Sequence, residues 1–292
     1  MPDISCIIVT FENEETIGGC LESVTADLNE FSAEIILIDN ASTDNTLPVA
    51  HGFREKCSHD FRIIKNLFNL GFARAINQGI AASNGEFILL LNPDTVIHPG
   101  FFLRMVSFLR ENPDVGIVAP QQLTASGSIL PSCRNFPTHL SLFFNVSGLS
   151  VLFPKSRIFN GWKMGWFDHK TSRTVQQPMG ACLLIRKSDV EKVGYMDEQF
   201  RMFFNDVDWC RRFLEAGKTA YFLADAKITH YAGHSVRRKP VRMIFSSHRA
   251  FGRYFKKYYR KWYWILPDLI SSIILLFTAC IRILLLPFCS RR

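Results

Sequence analysis

Short, continuous apolar segments alternate with helical patterns through the first ninety residues of the chain. Apolar residues at every third or fourth position predict helices over residues 15–29 and 72–82. Apolar runs without alternation are typical of strands buried on both faces, as in a parallel sheet covered by helices. The pattern therefore predicts an α/β fold with a mostly parallel sheet and helices on both faces. The predicted strands are residues 4–10, 35–38, 61–64 and 87–91.

Each predicted strand ends in a polar, turn-forming segment. Ligands of open α/β sheets bind outside the carboxyl ends of the strands, so these segments are candidates for a binding site. The alternative, that each Asp, Asn or Thr only caps a helix or a turn, stays open for any one segment alone. The four segments are Thr10-Phe11-Glu12-Asn13, Asp39-Asn40, Asn69-Leu70-Gly71 and Asn92-Pro93-Asp94-Thr95.

Several enzyme classes are disfavoured by missing motifs. The first strand is not followed by G-x-G-x-x-G, and the sequence has no G-x-x-x-x-G-K-[ST], which argues against a dehydrogenase and a P-loop enzyme. A sugar nucleotidyltransferase needs a basic glycine-rich loop, whereas Glu12 and Glu14 follow the first strand here. The eight cysteines form no C-x-x-C pair, and the first residues lack the basic and apolar regions of a signal peptide. We therefore expect a reducing, cytoplasmic location for the catalytic part.

Positive charge is concentrated at the carboxyl end of the chain. Residues 237–292 carry thirteen Lys and Arg against one acid, Asp268, which gives +12. The whole chain has a formal charge of +8, so residues 1–236 carry −4. Basic residues followed by Trp262-Tyr263-Trp264 and an apolar stretch form the order expected at a bilayer interface. We therefore predict a membrane surface as partner and no nucleic acid.

The apolar stretch 265–288 leaves open whether the tail spans the membrane. Pro267 and Pro287 bracket it, and Arg282 lies inside it. The 19 residues from 268 to 286 reach ~28 Å as a helix, which barely matches the hydrocarbon thickness. A helix lying in the interface is the alternative.

Seven motifs follow one another in residues 1–236. They are Ile7-Ile8-Val9-Thr10, Leu37-Ile38-Asp39-Asn40-Ala41-Ser42-Thr43-Asp44, Asn69-Leu70-Gly71-Phe72-Ala73-Arg74-Ala75-Ile76-Asn77, Leu91-Asn92-Pro93-Asp94, Gly180-Ala181-Cys182-Leu183-Leu184-Ile185-Arg186, Phe203-Phe204-Asn205-Asp206-Val207-Asp208-Trp209 and Ile228-Thr229-His230-Tyr231-Ala232-Gly233-His234-Ser235. In this order they resemble the motifs of family 2 glycosyltransferases, and of bacterial rhamnosyltransferase-like members in particular. The resemblance implies the Rossmann-like GT-A fold, with a mixed, mostly parallel sheet, for residues 1–236. It also implies a nucleotide-binding half (1–119), an acceptor and metal half (120–236), and a membrane-associating tail (237–292).

The resemblance also implies roles on the donor side. The family residue that matches Asp39 hydrogen-bonds the pyrimidine ring, and the region of Thr10 lines the same pocket. Asp94 matches the last aspartate of the DXD motif, which holds a divalent metal on the diphosphate, and His230 matches a histidine near that metal. Mn²⁺ or Mg²⁺ is expected, with imidazole favouring Mn²⁺. Further candidates for donor binding are Glu12, Asn69, Gly71, Arg74, Asn77 and Asn92.

Asp206 is the candidate general base by the same resemblance. The family motif reads Glu-Asp-x-Asp, and Asn205 replaces its glutamate here. We expect Asn205 to cap the following helix and Asp206 to lie in the first turn, where the helix dipole favours a carboxylate. Gly180, Ala181 and Asp208 are candidates for the acceptor side, and His234 is a possible aid to His230. A plain helix start is the alternative interpretation of Asp206 and Asp208.

The resemblance implies an inverting, metal-assisted glycosyltransferase at the cytoplasmic face of the cell membrane. It implies dTDP-rhamnose or a UDP-sugar as the donor, and a lipid-linked or cell-envelope glycan, such as a polyprenyl-linked one, as the acceptor. The alternative is a non-catalytic, membrane-associated protein that binds nucleotide sugars. The departures from the family pattern at Asn92 and Asn205 are what support that alternative.

Overall fold

The computed structural model describes residues 2–28, 30–231 and 240–289. Strands and helices alternate through its amino-terminal part, as the apolar pattern predicts. The strands are β1 (Ile4–Thr10), β2 (Ala33–Asp39), β3 (Asp60–Lys65), β4 (Phe87–Leu91), β5 (Thr95–Ile97), β6 (Val115–Leu123), β7 (Ile129–Leu130), β8 (Cys133–Arg134), β9 (Arg173–Val175), β10 (Gln177–Pro178), β11 (Cys182–Arg186) and β12 (Thr219–His230).

Helices cover both faces of the sheet and form the carboxyl end of the chain. A 3-10 turn, Trp262–Trp264, joins the last two of those that the structure describes. The helices are α1 (Ile17–Asp27), α2 (Thr46–Arg54), α3 (Phe72–Ala82), α4 (Phe101–Glu111), α5 (His139–Val146), α6 (Leu149–Leu152), α7 (Lys187–Val193), α8 (Asn205–Glu215), α9 (Pro240–Tyr258) and α10 (Ile265–Cys289). The predicted bounds of β1, α3 and β4 are confirmed.

The main sheet is mixed and has the order β3-β2-β1-β4-β11-β6-β12-β5. Strands β3, β2, β1 and β4 pair in parallel, and so do β6 and β12. Strand β11 lies antiparallel to β4 and β6, and β5 lies antiparallel to β12. Strands β8 and β10 form a separate two-stranded ribbon. The predicted mixed sheet with helices on both faces is confirmed.

Two apolar layers enclose this sheet. All residues of β1 and β2 are buried, which explains why their sequences do not alternate. One layer packs beneath α1 and α4, and the other beneath α3 and α8. A Cβ atom at Gly79 of α3 would lie 2.4 Å from Cγ2 of Ile7, so a glycine here lets α3 lie directly on the sheet.

A third apolar cluster joins α9 to the catalytic body. Phe251, Tyr254 and Phe255 of α9 are buried in it, against Phe200 and Val207. Burial of an aromatic side chain of this size contributes about 1.5–3 kcal/mol, so the cluster holds α9 firmly. The basic helix of the predicted tail is therefore packed on one face against the sheet domain. The predicted boundary at residue 236 lies outside the described residues, as does His234.

Helix α10 is far more exposed than α9. Ser271, Leu275 and Ala279 form a buried stripe along it, while most of its other apolar side chains face outward. Residues Trp262–Leu284 are long and apolar enough to cross a membrane by length and composition, and 17% of the apolar window within them is buried. The predicted membrane tail thus contains a helix of sufficient length and hydropathy, and a membrane span stays a prediction.

Candidate active site

Thr10 and Asp39 end the adjacent strands β1 and β2 and are paired in register. Both are fully buried. The Asp39 carboxylate accepts hydrogen bonds from the Ser42 backbone N–H at 3.1 Å and from the Thr10 hydroxyl at 3.3 Å. The structure therefore shows Asp39 shaping the turn after β2. Contact of Asp39 with a pyrimidine ring stays a prediction.

Glu12 connects the loops that follow β1 and β2. Its backbone is in the left-handed region (φ 59°), and its N–H donates to the Ser42 hydroxyl at 3.0 Å. Its carboxylate accepts from the backbone N–H and the hydroxyl of Thr43, at 2.9 Å and 2.8 Å. Glu12 thus binds one loop of the site to the other, and its predicted contact with the donor stays a prediction.

Asn69 and Gly71 belong to an amide network that also includes the buried Asn40. The Asn40 side chain donates to the Asn69 side-chain oxygen at 3.2 Å and accepts from the Leu70 N–H at 3.0 Å. Gly71 has a φ of 91°, and a Cβ atom there would lie 3.1 Å from the Arg201 carbonyl oxygen. This network explains the residue types in the third strand-end segment, because only glycine adopts this conformation freely.

Asn77 connects α3 to the backbone before α8. Its buried side chain donates to the Met196 carbonyl at 2.9 Å and accepts from the Met196 N–H at 3.0 Å. Both of its polar groups therefore have partners in the fold, and its predicted contact with the donor stays a prediction. Arg74, one turn earlier, is exposed, and its Nε lies 3.8 Å from the Glu198 carboxylate. Its donor contact stays a prediction.

Asp94 and His230 lie side by side where β5 pairs with β12. The Tyr231 N–H donates to the Asp94 carbonyl at 2.9 Å, and His230 Nε2 lies 3.4 Å from Asp94 Oδ1. His230 Nδ1 lies 3.0 Å from the side-chain oxygen of Gln122, which is nearly fully buried on β6. We assign the hydrogen of the neutral ring to Nδ1, since it then donates to Gln122. The Nε2 lone pair then faces a carboxylate, an arrangement that fits a cation.

Two residues alone do not complete a metal site. Within residues 2–28, 30–231 and 240–289, no group of three or more His, Cys, Asp or Glu side chains could hold a metal ion. A hard divalent cation takes six or more oxygen or nitrogen ligands. Asp94 and His230 could therefore supply only two of the ligands, and their predicted role at a metal on the diphosphate stays a prediction.

Asp206 lies in the first turn of α8, as predicted, and is partly exposed. One carboxylate oxygen accepts from the Gly180 N–H and the Gln177 side-chain amide, both at 3.0 Å, and the other accepts from the Val207 N–H at 2.9 Å. Burial raises the pKa of Asp206 above its usual value, and the backbone hydrogen bonds oppose this shift. A carboxylate with neutral partners and a raised pKa is suited to accept a proton.

Gly180 and Ala181 connect this carboxylate to the Asp94 loop. The Asn92 N–H donates to the Ala181 carbonyl at 2.8 Å, next to the Gly180 N–H that binds Asp206. A Cβ atom at Gly180 would lie 3.1 Å from the Asp206 Cβ, so a side chain there would push the carboxylate away. The Asn92 carbonyl accepts from the Thr95 hydroxyl at 2.7 Å, which fixes the turn. Asp94, Asp206, Gly180, Gln177 and His230 are called the strand-end site below.

The predicted capping role of Asn205 is wrong. Helix α8 begins at Asn205, and its N-cap is Phe204, which has a left-handed backbone (φ 68°) and no capping side chain. The buried Asn205 side chain donates to the Met202 carbonyl at 3.1 Å and accepts from the Asp206 N–H at 2.7 Å. Asn205 thus supports the turn that presents Asp206.

Asp208 has its partners inside the fold, and its predicted contact with the acceptor stays a prediction. It is fully buried, and its carboxylate lies 2.6 Å from Lys257 Nζ and 2.9 Å from Arg212 Nε. The Tyr258 hydroxyl donates to it at 2.7 Å. Two residues along a helix point in different directions, so Asp206 and Asp208 cannot face the same side. Asp208, Arg212, Lys257, Tyr258 and Asp197 are called the α8–α9 junction below.

Sequence reasoning missed Gln122, Gln177, Lys257 and Tyr258. Gln122 lies on a strand far from the motifs, and Gln177 lies three residues before the Gly180 motif but outside it, with no spacing that marks either glutamine. Lys257 and Tyr258 appear in the sequence as part of a basic tail. The one available signal was Asp208, the second aspartate of the α8 motif. If that carboxylate is buried, it needs a cationic partner, and Lys257 is such a partner.

Comparison with known proteins agrees with this architecture. A family model described as "Glycosyl transferase family 2" matches residues 5–159, and one described as "Glycosyl transferase family group 2" matches residues 87–290. The chain is 28% identical to an N-acetylglucosaminyl-diphospho-decaprenol L-rhamnosyltransferase of Mycobacterium tuberculosis, over 80% of this chain and 78% of the relative. It is 27% identical to a low-salt glycan biosynthesis hexosyltransferase of Haloferax volcanii, over 73% of this chain and 62% of the relative.

Two solved structures share the fold at low sequence identity. A mannosyltransferase from Pyrobaculum calidifontis, PcManGT, in complex with GDP-Man and Mn²⁺, matches with a TM-score of 0.60 and 14% identity, over 96% of this chain and 73% of its own. S. aureus TarS matches with a TM-score of 0.55 and 18% identity, and the match covers 86% of this chain but only 43% of the TarS chain. Because the family model covers more than half of the sequence, the chain belongs to glycosyl transferase family 2, and its structural matches agree with the GT-A fold of a glycosyltransferase.

Proposed function

We propose that this glycosyltransferase moves a sugar from a nucleoside diphosphate donor to a lipid-linked or cell-envelope glycan, with inversion at the anomeric carbon. The donor is dTDP-rhamnose or a UDP-sugar. The mycobacterial relative, named for a decaprenol-linked acceptor and L-rhamnose, supports the acceptor class and the first donor. A solved TarS structure in complex with UDP-GlcNAc supports a UDP-sugar as the alternative.

The observation that carries this proposal is the bridge between Asp206 and the Asp94 loop. The Gly180 N–H binds the Asp206 carboxylate, and the adjacent Ala181 carbonyl binds the Asn92 N–H two residues before Asp94. A candidate base and a candidate metal ligand are thus held in one rigid unit at the ends of β4 and β11. Fixed relative positions of two such groups are what a displacement reaction requires.

Asp206 acts as the general base in this proposal. Its partly exposed carboxylate takes the proton of the acceptor hydroxyl as the oxygen attacks the anomeric carbon. The hydrogen bonds from Gly180 and Gln177 hold one oxygen, and the other keeps a lone pair besides the bond from Val207. One base on one side of the sugar suits a single in-line displacement, which inverts the anomeric configuration.

Asp94 and His230 hold a divalent metal, with Gln122 fixing the orientation of the imidazole. When bound, Mn²⁺ or Mg²⁺ stabilises the negative charge of the departing diphosphate and makes a general acid unnecessary. A metal-bound histidine is commonly oriented by a hydrogen bond from its other ring nitrogen to a neighbouring side chain. The PcManGT structure named with Mn²⁺ supports the type of ion.

Membrane attachment through the carboxyl-terminal helix completes the proposal. The exposed apolar face of α10 follows the basic and aromatic residues that end α9 and form the 3-10 turn. A lipid-linked acceptor would reach the enzyme at the cytoplasmic face of the membrane. The chain's basic tail favours that anionic leaflet.

A panel of nucleotide sugars, assayed with and without Mn²⁺, tests the function. We expect transfer from a dTDP- or UDP-sugar that Asp206→Asn abolishes and that requires the metal, and NMR of the product should show an inverted anomer. Asp114→Asn is the matched control, because this exposed residue precedes β6 at the opposite end of the sheet. Retention of configuration, or equal activity of the two variants, would contradict the proposal.

A further inference from the structure

An exposed apolar surface follows β8. Residues 140–158 hold six large apolar side chains that are 45–75% exposed, which is unusual for a surface that faces water. Two of them lie three residues apart on one face of α5. The group, called the α5–α6 surface, consists of Leu140, Phe143, Val151, Leu152, Phe153 and Ile158.

The first turn of α5 is bound to α10. The His139 ring hydrogen-bonds the Ser271 hydroxyl through Nδ1 at 2.8 Å, and its Nε2 lies 3.1 Å from the Asp268 carboxylate. The ring also contacts Trp264, with centroids 5.2 Å apart. On the next turn of α5, Leu142 is buried against α9 and α10. The exposed side chains of α5 therefore belong to a helix that packs on α10, and α10 has an exposed apolar face of its own.

The charge of this segment favours an anionic partner. Residues 135–167 contain no Asp or Glu, while Lys155, Arg157 and Lys163 are basic and exposed. Apolar side chains bordered by basic ones are typical of segments that lie in the headgroup region of a bilayer. An acidic protein partner would match the charge, but it would not account for the packing of α5 on α10, which also exposes an apolar face.

The α5–α6 surface is also connected to the candidate base, Asp206, through the two-stranded ribbon of β8 and β10. Strand β8 leads into α5 and pairs with β10, whose Gln177 donates to Asp206. The Phe136 N–H, between β8 and α5, donates to the Gln176 side chain. The acceptor-side carboxylate and the α5–α6 surface are therefore held by the same two strands.

We infer that the α5–α6 surface is a second membrane-contact site, which lies on an anionic bilayer beside α10 and turns the Asp206 side of the active site toward the lipid. This inference rests on the proposed membrane attachment through α10. It assigns the orientation of the enzyme to a segment that is more than a hundred residues before α10 in sequence.

Single labelled cysteines in the full chain test the inference. The background carries Cys57→Ser, Cys280→Ser and Cys289→Ser, and an environment-sensitive NBD fluorophore is attached at Leu152→Cys, at Leu103→Cys or at a restored Cys280. Leu103 is the matched control, since it is 52% exposed on α4, away from the α5–α6 surface. Emission is recorded with vesicles that contain phosphatidylglycerol, with and without doxyl-labelled lipid as quencher.

We expect the probes at positions 152 and 280 to shift to the blue and to be quenched by doxyl lipid, while the probe at 103 does not change. The inference would be overturned if the probe at position 280 is quenched while the probe at position 152 behaves like the control at position 103. That result would leave the attachment through α10 intact. If no position is quenched, the attachment itself fails, and the inference with it. A 152 probe that is shielded without vesicles, in a protein that sediments as a dimer, would assign the surface to a second copy of the chain and overturn the inference. Val151→Cys repeats the test at a neighbouring exposed position.

Discussion

The carboxylates of the strand-end site and of the α8–α9 junction differ in their burial and in the charge of their partners. Asp206 is partly exposed and has amide partners, whereas Asp208, two residues later, is fully buried between Lys257 and Arg212. Opposite charges at the junction pair with the buried carboxylate and stabilise the fold. Neutral donors at the site hold the carboxylate in place without cancelling its charge. Two aspartates of one motif are thus assigned different tasks by what surrounds them.

The largest expected effect is on the transfer rate, which should distinguish Asp206 from Asp208. We expect Asp206→Asn to lower the transfer rate by roughly 10²–10⁴-fold, because the proton acceptor is lost. Donor affinity and the free energy of unfolding should change little, since the amide can still accept from Gly180. Turnover at saturating donor and the donor Kd check this. A collapse of donor affinity with unchanged turnover would assign Asp206 to the donor side instead.

Asp94→Asn tests the other end of the bridge. We expect a loss of roughly 10²-fold or more in rate, because the departing diphosphate loses charge stabilisation. Mn²⁺ binding, followed by electron paramagnetic resonance of the free ion, should weaken in parallel. The fold should persist, since Asp94 follows a strand rather than lying in the core. Full activity of this variant in EDTA-treated buffer would exclude the metal role.

Asp208→Asn should act on stability rather than on chemistry. Removal of one partner from a fully buried pair typically costs 3–5 kcal/mol, and we expect about 2 kcal/mol here because Lys257 and Arg212 are partly exposed and Lys257 keeps Asp197. Urea unfolding followed by circular dichroism measures the loss. Asp206→Asn is the comparison, and equal destabilisation by the two variants would remove the distinction between the regions.

A smaller effect concerns the pH dependence of the rate. Burial raises the pKa of Asp206, so the base is ionised, and the enzyme active, only above that raised value. The Gln177 amide stabilises the ionised form, and Gln177→Leu should therefore raise the pKa further and move the acid limb of kcat/KM to higher pH. If the acid limb of the kcat/KM profile stays in place or moves to lower pH, the assignment of that limb to Asp206 is contradicted.

The smallest expected effect is electrostatic and concerns the tail. Each basic residue near an anionic leaflet contributes about 1 kcal/mol before screening. Reversal of Lys256, Arg260 and Lys261 should weaken vesicle flotation at low salt, and less so at high salt. Deletion of residues 262–292 should weaken flotation more at both salt concentrations. Lys257 is left unchanged, because its ion pairs with Asp197 and Asp208 belong to the junction.

The nucleotide-side half of the fold could be predicted closely from the sequence. Strands β1 and β4 and helix α3 were predictable to the residue, because strands buried on both faces have continuous apolar sequences and helices keep their own period. The polar strand ends were predictable as a group for the same local reason. The region from 120 to 177 could not be predicted, since its short ribbon and helices depend on partners that are distant in sequence.

The sequence by itself determined the alternation of strands and helices, the family motifs and the basic, apolar tail. Only the tertiary structure decided which polar residues meet. It brought Gln122 to His230, Gln177 to Asp206 and Lys257 to Asp208, across 108, 29 and 49 positions of sequence. It also gave Asn77 a structural task that its motif does not reveal. The physical reason is that periodicity and turn chemistry act between neighbours in the chain, whereas the partner of a buried polar group is chosen by how the strands and helices pack.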